Sequence, residues 1–377
     1  MLKINNIEIR EREEDYINLN PIQTGGRLTK EARKALISYC DGYSVCDYCP
    51  GALHIMKKPN IENFVRELAD FVNMDFVLLT NGCREAKFIV MYSITKPGDI
   101  IVMDSNKHYT SWMAAERVGL KIYEVPNSGY PEFKINPEDY KKVFEEVKEK
   151  EGKYPNLALL THVDGNYGNL VNAKKVGKIC GDYKIPFLLN SAYSGGRMPI
   201  NGKKINADFI AFSCHKSWSS SGPLGFLAIK GEWKNKILKE STKYKNKFLE
   251  ILGCSARACS VLTLMVSFPS IKERVKKWDE EIKKMRWFVK EIEPLGIKQL
   301  GETPHNHDLV FLETPVFDKI AKKHKRKGFF LAEELKSRGI VGIKPGRTKN
   351  FKISTYGLSW DQIKYLAESF KEIVEKY

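Results

Sequence analysis

From about residue 76 onward, short apolar runs alternate with amphipathic stretches of helical period, the pattern of a mostly parallel sheet covered by helices. Seven runs read as strands, over 76–80, 100–104, 121–125, 157–161, 186–190, 208–213 and 224–230. Helices are predicted between them near 84–95, 110–119, 136–150 and 172–183. The last strands follow one another without long helices, so the sheet should include an antiparallel strand. Residues 20–60 are broken by Gly25-Gly26, Gly42, Pro50-Gly51 and Pro59 and read as a loop-rich arm able to reach an active site, its own or a partner's. After about residue 268 the pattern predicts a long charged helix to near Glu293, strands over 309–313 and 351–355, and helices near 328–338 and 360–376. The expected organisation is an arm (1–60), a large α/β domain (61–267) and a smaller C-terminal α/β domain (268–377).

Composition sharpens this picture at three points. With 42% hydrophobic and 29% charged residues, no window approaches the roughly 18 uninterrupted apolar residues that span a bilayer, so no membrane association is expected. The first ten residues intersperse charges rather than forming an apolar signal region, which predicts a cytoplasmic protein. Sixty-two basic against 46 acidic residues give a net charge of +16, large enough to suggest a polyanionic partner or substrate, although a lysine-rich solvated surface also produces it. Basic residues cluster over Lys234–Lys247, Lys272–Arg286 and Lys322–Lys327, with Tyr244 and Trp278 inside the first two; such patches suit a phosphate backbone.

The chemistry concentrates at strand ends. Ser213-Cys214-His215-Lys216-Ser217 follows an apolar run and precedes Gly222-Pro223-Leu224-Gly225. A lysine ending a buried strand, preceded by His, is the usual setting of a lysine joined covalently to pyridoxal phosphate, because desolvation makes its amine nucleophilic. Asn81-Gly82-Cys83-Arg84-Glu85 follows the first strand and opens a helix, whose free N–H groups would bind the cofactor phosphate. Arg84 serves that phosphate or a second one on the substrate. His108, after the next strand, is placed to stack on a pyridine ring, Asn166 to donate to the phenolic oxygen, and Asn190 to meet the pyridine nitrogen. All lie at carboxyl ends of strands, where open α/β sheets bind ligands.

These segments resemble fold-type I pyridoxal-phosphate enzymes over nearly the whole chain, with Leu189–Gly196 and Ser213–Lys216 similar to group II decarboxylases and cysteine desulfurases. Asn190 departs from the Asp that most of the superfamily carries there, leaving a weaker electron sink that is tolerable if a good leaving group is expelled. Asn18–Gly26, Cys46-Asp47-Tyr48-Cys49-Pro50-Gly51 and Gly253-Cys254-Ser255-Ala256-Arg257 together resemble the archaeal O-phosphoseryl-tRNA:cysteinyl-tRNA synthase family.

That resemblance implies a pyridoxal-phosphate-dependent transferase that converts phosphoserine, esterified to tRNA(Cys), into cysteine. It implies that Lys216 moves the Cα proton, that phosphate leaves the β carbon with Arg84, His108 and Tyr109 as its nearest partners, and that sulfur then adds. It also places the family's three cysteines on Cys46, Cys49 and Cys254, as persulfide carriers or as ligands of an iron-sulfur cluster; a zinc site is the bland alternative for the C-x-x-C pair. A homodimer and a phosphoseryl-tRNA synthetase partner are further expectations. Arg347 resembles an arginine that holds a free carboxylate in many relatives, a doubtful role for an esterified substrate; Lys352 is another candidate for meeting it. The competing readings are a cysteine desulfurase or other lyase acting on a free amino acid, and a silent RNA-binding scaffold that keeps the fold.

Overall fold

The computed structural model describes residues 16–38, 60–244, 248–249 and 258–377. It begins with β1 (Ile17–Asn18), α1 (Lys30–Ser38) and α2 (Ile61–Phe71). The large unit follows as β2 (Phe76–Thr80), α3 (Cys83–Ile94), β3 (Ile100–Asp104), α4 (Tyr109–Val118), β4 (Lys121–Val125), α5 (Asp139–Glu151), β5 (Leu157–Thr161) and α6 (Ala173–Asp182). It continues through β6 (Phe187–Asn190), α7 (Gly202–Ile205), β7 (Phe209–Ser213), α8 (Cys214–Ser217), β8 (Gly225–Ile229) and α9 (Lys234–Ile237). Then come α10 (Ala258–Arg274), α11 (Trp278–Ile292), β9 (Lys298–Leu300), β10 (Leu309–Glu313), α12 (Pro315–Lys323), α13 (Phe330–Ser337), β11 (Ile340–Val341), β12 (Asn350–Ser354) and α14 (Trp360–Lys376).

All seven expected strands form one sheet in the order β2-β8-β7-β6-β5-β3-β4, and β8 is the expected antiparallel strand, pairing with both β2 and β7. Strands β3, β5, β6, β7 and β8 are buried along their whole length, as a sheet covered on both faces requires. Apolar clusters fill both faces, and α5 turns Tyr140, Val143, Phe144 and Val147 inward at helical spacing. A second core gathers around the three-stranded sheet β12-β10-β9 and includes Ile17 and Leu19, because β1 pairs in parallel with β11.

Several elements differ from expectation. The stretch 20–60 contains the helix α1. The single helix expected from about 268 to 293 is two: α10, which starts ten residues earlier and carries Pro269 inside it, and α11, separated by the 3-10 turn Val275–Lys277. The break has a packing cause, since Val261, Leu264, Phe268 and Ile271 fill the first core while Met285, Phe288 and Ile292 fill the second. The helices α2 and α12, the short strand β9 and the paired strands β1 and β11 are further elements that the hydrophobic pattern does not predict.

The register sets up the site. Thr161 pairs with Asn190 and Asn190 with Ala211, aligning the carboxyl ends of β5, β6 and β7. Antiparallel β8 brings Gly225 opposite both Thr80 and Ser213. A Cβ on Gly225 would meet Phe212 O at 2.4 Å and Gly82 Cα at 2.6 Å, so only glycine lets the turn after β2 approach the turn after β7.

Candidate active site

Lys216 lies in α8, the one helical turn that begins where β7 ends, with its Nζ 4.9 Å from the centre of the Tyr193 ring. Burial lowers its pKa below the ordinary 10.5, and the charges of Arg197 and Lys352 add to the effect. An inner cavity of about 120 Å³ surrounds it. Asn81, Gly82, Cys83, Arg84, His108, Asn190, Ser213 and His215 all line it, so most of the expected residues converge. Glu85 does not line this cavity; its carboxylate accepts the backbone and side-chain N–H groups of Asn81 and so shapes the turn. Asn166 and Tyr109 lie farther out, in a second cavity of about 530 Å³ that shares His108, Gly165, Tyr193 and Lys216 with the first. Cys46, Cys49 and Cys254 lie outside the described residues.

The arm approaches the same place within one chain. Gly25 O accepts from Ser219 N at 3.2 Å, and a Cβ on Gly26 would come within 2.3 Å of His215 O. Arg197, fully buried, donates to Pro21 O at 2.7 Å and Ser217 Oγ at 3.2 Å, and forms an ion pair with Asp308. Arg274 donates to Gly25 O at 3.1 Å, Gly196 O at 2.9 Å and Ser217 O. Two arginines thus fasten the arm, the lysine turn and the second core to one another.

The residues present fit pyridoxal phosphate. Gly82, with φ of +124°, opens α3 without a side-chain cap, which leaves the first helical N–H groups as donors beside the cavity. His215 Nε2 lies 3.4 Å from Ser213 Oγ, and its Nδ1 meets Leu224 O at 3.0 Å, so a second pair of polar groups closes the same end. Deeper along the same helix start, Asn190 Oδ1 accepts from Cys83 Sγ at 3.1 Å and, in its own exit turn, from Ala192 N at 3.2 Å. Its amide N–H groups are the part left for a ring nitrogen.

The cavity is positive. Lys216, Lys87 and Arg84 line it, and burial together with Lys216, Lys87, Lys352 and Arg84 lowers the pKa of His108 to about 4, leaving a neutral imidazole. Its Nδ1 caps α4 by accepting from Thr110 N at 3.3 Å, which puts the ring proton on Nε2. Arg84 lies 5.6 Å from the Tyr109 ring and the His108 and Tyr109 rings are 4.4 Å apart, so the three groups expected at the substrate phosphate form one cluster. Arg347 is exposed and lines neither cavity, whereas Lys352 lines the outer one.

Sequence reasoning missed Lys87 and Tyr193. Lys87 is a lysine inside the apolar run Ala86–Met91, a position where burial implies partners; Tyr193 stands three residues beyond Asn190 in the same exit turn.

The family model described as "O-phosphoseryl-tRNA(Sec) selenium transferase, SepSecS" matches residues 90–375. The chain is 56% identical over 362 residues to the O-phospho-L-seryl-tRNA:Cys-tRNA synthase of Methanocaldococcus jannaschii, with 96% of each covered. It is 51% identical to that of Methanococcus aeolicus, over 96% of this chain and 94% of the relative. The chain belongs to the O-phospho-L-seryl-tRNA:Cys-tRNA synthase family. A solved structure described as a complex of SepCysS with the N-terminal domain of SepCysE is 53% identical, with a TM-score of 0.92 over 100% of this chain and 99% of that one. A cysteine desulfurase of Thermococcus onnurineus shares the fold, with a TM-score of 0.77 over 97% and 96% of the two chains, at only 20% identity. The synthase family and the desulfurase therefore share the fold-type I architecture, while sequence identity separates them.

Proposed function

We propose that this chain converts O-phosphoseryl-tRNA(Cys) to cysteinyl-tRNA(Cys), with sulfur taking the place of phosphate at the β carbon. The observation that carries this reading is the cluster of Arg84, His108 and Tyr109 at the mouth of a positive cavity that contains Lys216. The full-length identity to synthases of that name supports it, and assigns sulfur rather than the selenium of the family model's description.

Pyridoxal phosphate, when bound, supplies the electron sink for a carbanion at Cα. The uncapped start of α3, Ser213 and His215 would hold its phosphate, and Asn190 its ring nitrogen. Lys216 Nζ, held partly desolvated over Tyr193, accepts the Cα proton and returns it after sulfur has added. Arg84 and the Nε2–H of neutral His108 stabilise the charge that gathers on the departing phosphate, and the Tyr109 hydroxyl adds a donor. Asn166, expected at the phenolic oxygen, sits at the rim, where it meets the rest of the substrate. Glu85 acts through the shape of the turn it closes.

In this reading, which rests on the sequence motif, one of Cys46, Cys49 and Cys254 holds donor-derived sulfane sulfur as a persulfide whose terminal sulfur adds to the β carbon. A second of them cleaves the resulting mixed disulfide to free the new cysteine, and an external thiol reduces the protein disulfide left behind; free sulfide adds directly, with no change of oxidation state. No group of His, Cys, Asp and Glu among the described residues suits a metal, and those residues do not include Cys46, Cys49 and Cys254; iron analysis of anaerobically purified protein tests directly for an iron-sulfur cluster at the three cysteines. The chain acts as a homodimer on charged tRNA(Cys). The relative's complex supports a SepCysE-type partner, a support the expected phosphoseryl-tRNA synthetase lacks. A synthase acting on charged tRNA, as the relatives' names describe, works in the cytoplasm in this reading; no helix among the described residues is long and apolar enough to cross a membrane.

The test is to incubate the purified protein with phosphoseryl-tRNA and sulfide, with Lys216→Ala as control, and to identify the amino acid on the tRNA. Cysteine from the wild type alone supports the reading. Unchanged phosphoserine with turnover of free cysteine replaces it by a desulfurase.

A further inference from the structure

The outer cavity is too large for the chemistry assigned to it so far. At about 530 Å³ it falls inside the range of roughly 300–1,000 Å³ that houses small-molecule ligands, while the phosphate partners occupy only its Tyr109–His108 end. The remainder is walled by Ile22 of the arm, Trp112 of α4, Asn166 of the loop after β5 and Lys352 of β12.

Trp112 is the distinctive wall. The Lys107 ammonium sits 5.0 Å from its ring centre and is paired with Glu124, so the half-buried indole is held in place from one side. Tyr109, 62% exposed, stands one turn earlier on the same face of α4. Ile22, 48% exposed, adds an apolar surface. Polar capacity is present too: the Asn166 side-chain amide makes no hydrogen bond among the described residues, and Lys352 Nζ donates to Gly165 O. No carboxylate lines this cavity. Aromatic and apolar walls, a free amide and the charges of Lys216 and Lys352, which form no ion pair among the described residues, suit a nucleobase with its ribose and an adjoining phosphate.

Position completes the argument. The two cavities share Lys216, Tyr193, Gly165 and His108, so a group in the outer one lies next to a carboxyl carbon whose Cα faces Lys216. We propose that the outer cavity is the subsite for the 3′-terminal adenosine that carries the phosphoseryl ester, its base against Trp112 and Ile22 and its ribose at Asn166. The proposal rests on the tRNA-linked substrate inferred above. It makes recognition of the substrate local, through the nucleoside, as well as distant, through the tRNA backbone.

The experiment compares two small esters of phosphoserine, one to the ribose of adenosine and one to methanol, as substrates of the holoenzyme with sulfide. Wild type should favour the adenosyl ester by about tenfold in kcat/KM, the range expected for one stacked base. Trp112→Leu should remove most of that preference; because both esters are compared in one preparation, the ratio is independent of the fraction of folded protein. Equilibrium dialysis of free adenosine should show the same loss of about tenfold without any turnover. Equal use of the two esters by wild type, or an unaltered ratio in Trp112→Leu, overturns the subsite. So does an adenosyl ester left untouched by protein that converts phosphoseryl-tRNA, and that result leaves the tRNA reaction standing. Failure on phosphoseryl-tRNA as well removes the substrate reading and the subsite with it.

Discussion

Lys87 Nζ donates to Thr110 Oγ1 at 2.9 Å, and the same hydroxyl lies 2.9 Å from His108 Nδ1. A lysine buried in α3 is thereby tied to the ring at the mouth of the cavity, and a second donation, to Ser111 Oγ at 2.7 Å, fixes its place. Burial lowers its pKa from 10.5 to about 8. A depressed lysine pKa means that the folded state binds fewer protons than the unfolded chain between those two values, so stability rises with pH across that window. The gain is about 3 kcal/mol at most. Urea unfolding at pH 7.5, 8.5 and 9.5 should show this rise in the wild type, and Lys87→Met should flatten it. Equal slopes would mean that Lys87 keeps its charge through the window.

His108 leads to a prediction about rate. With its pKa lowered to about 4 it is neutral across the pH range in which the enzyme would be assayed, and it acts as an N–H donor rather than as a cation. His108→Phe retains a ring and removes that donor. The variant should lose about 100-fold in kcat for phosphate release, the scale of one positioned donor or acid. Its kcat profile between pH 6 and 8 should keep the shape of the wild-type profile. An acid limb near pH 6.5 that disappears in His108→Phe would instead assign the protonated imidazole to the reaction.

Arg197 and Asp308, both fully buried, form the ion pair behind the lysine turn. Burial alone would raise the Asp308 pKa, but Arg197, His307 and the Ser354 hydroxyl outweigh it and hold the carboxyl below 3.8. Removing one partner strands the other charge, so Arg197→Met should cost about 3–5 kcal/mol of stability. Arg197→Met with Asp308→Leu should recover much of that loss in urea unfolding, because neither charge is then left alone. A double variant less stable than either single one would show that the hydrogen bonds of Arg197 to the arm, not the ion pair, dominate.

Five of the seven strands, β3 and β5–β8, were legible because each is a short, largely apolar run between turn residues, and burial on both faces writes that pattern into the sequence. The edge strand β4 carries Lys121 and Glu124, buries only Val125, and was read from its place between two helical stretches. The junction of α10 and α11 was not. Pro269 reads locally as the start of a helix, and what breaks the chain at Val275–Lys277 is the need to serve two cores, a demand made by residues far away in sequence. The site divides in the same way. Lys216, Asn190, His108 and the Asn81–Arg84 turn sit at strand ends, where topology alone foretells a ligand. Lys87 and Tyr193 enter the cavity because α3 and the turn after β6 pack against each other, and only the pairing of distant elements reveals that. The cavity beyond His108 needs Ile22, Trp112, Asn166 and Lys352 from four separate elements, so no local motif announces it.

The basic segment Lys322–Lys327 shows how structure refines a charge argument. Lys322 is paired with Asp318 at 3.0 Å and Arg326 with Glu333, so their charge is partly spent within the protein. Lys323, Lys325 and Lys327 form no ion pair among the described residues and stand at the end of α12 and in the turn after it. A lysine that neutralises a phosphate releases a condensed counterion, which makes the logarithm of the binding constant fall with the logarithm of salt concentration. Changing these three to glutamine should weaken tRNA(Cys) binding at low salt and make the slope of that plot shallower by roughly 0.7–0.9 for each lysine that meets a phosphate. Lys322→Gln, which removes a paired charge, should change the slope little. Filter binding between 50 and 300 mM salt measures both. An unchanged slope in the triple variant would exclude this patch and direct attention to the cluster at Lys272–Arg286.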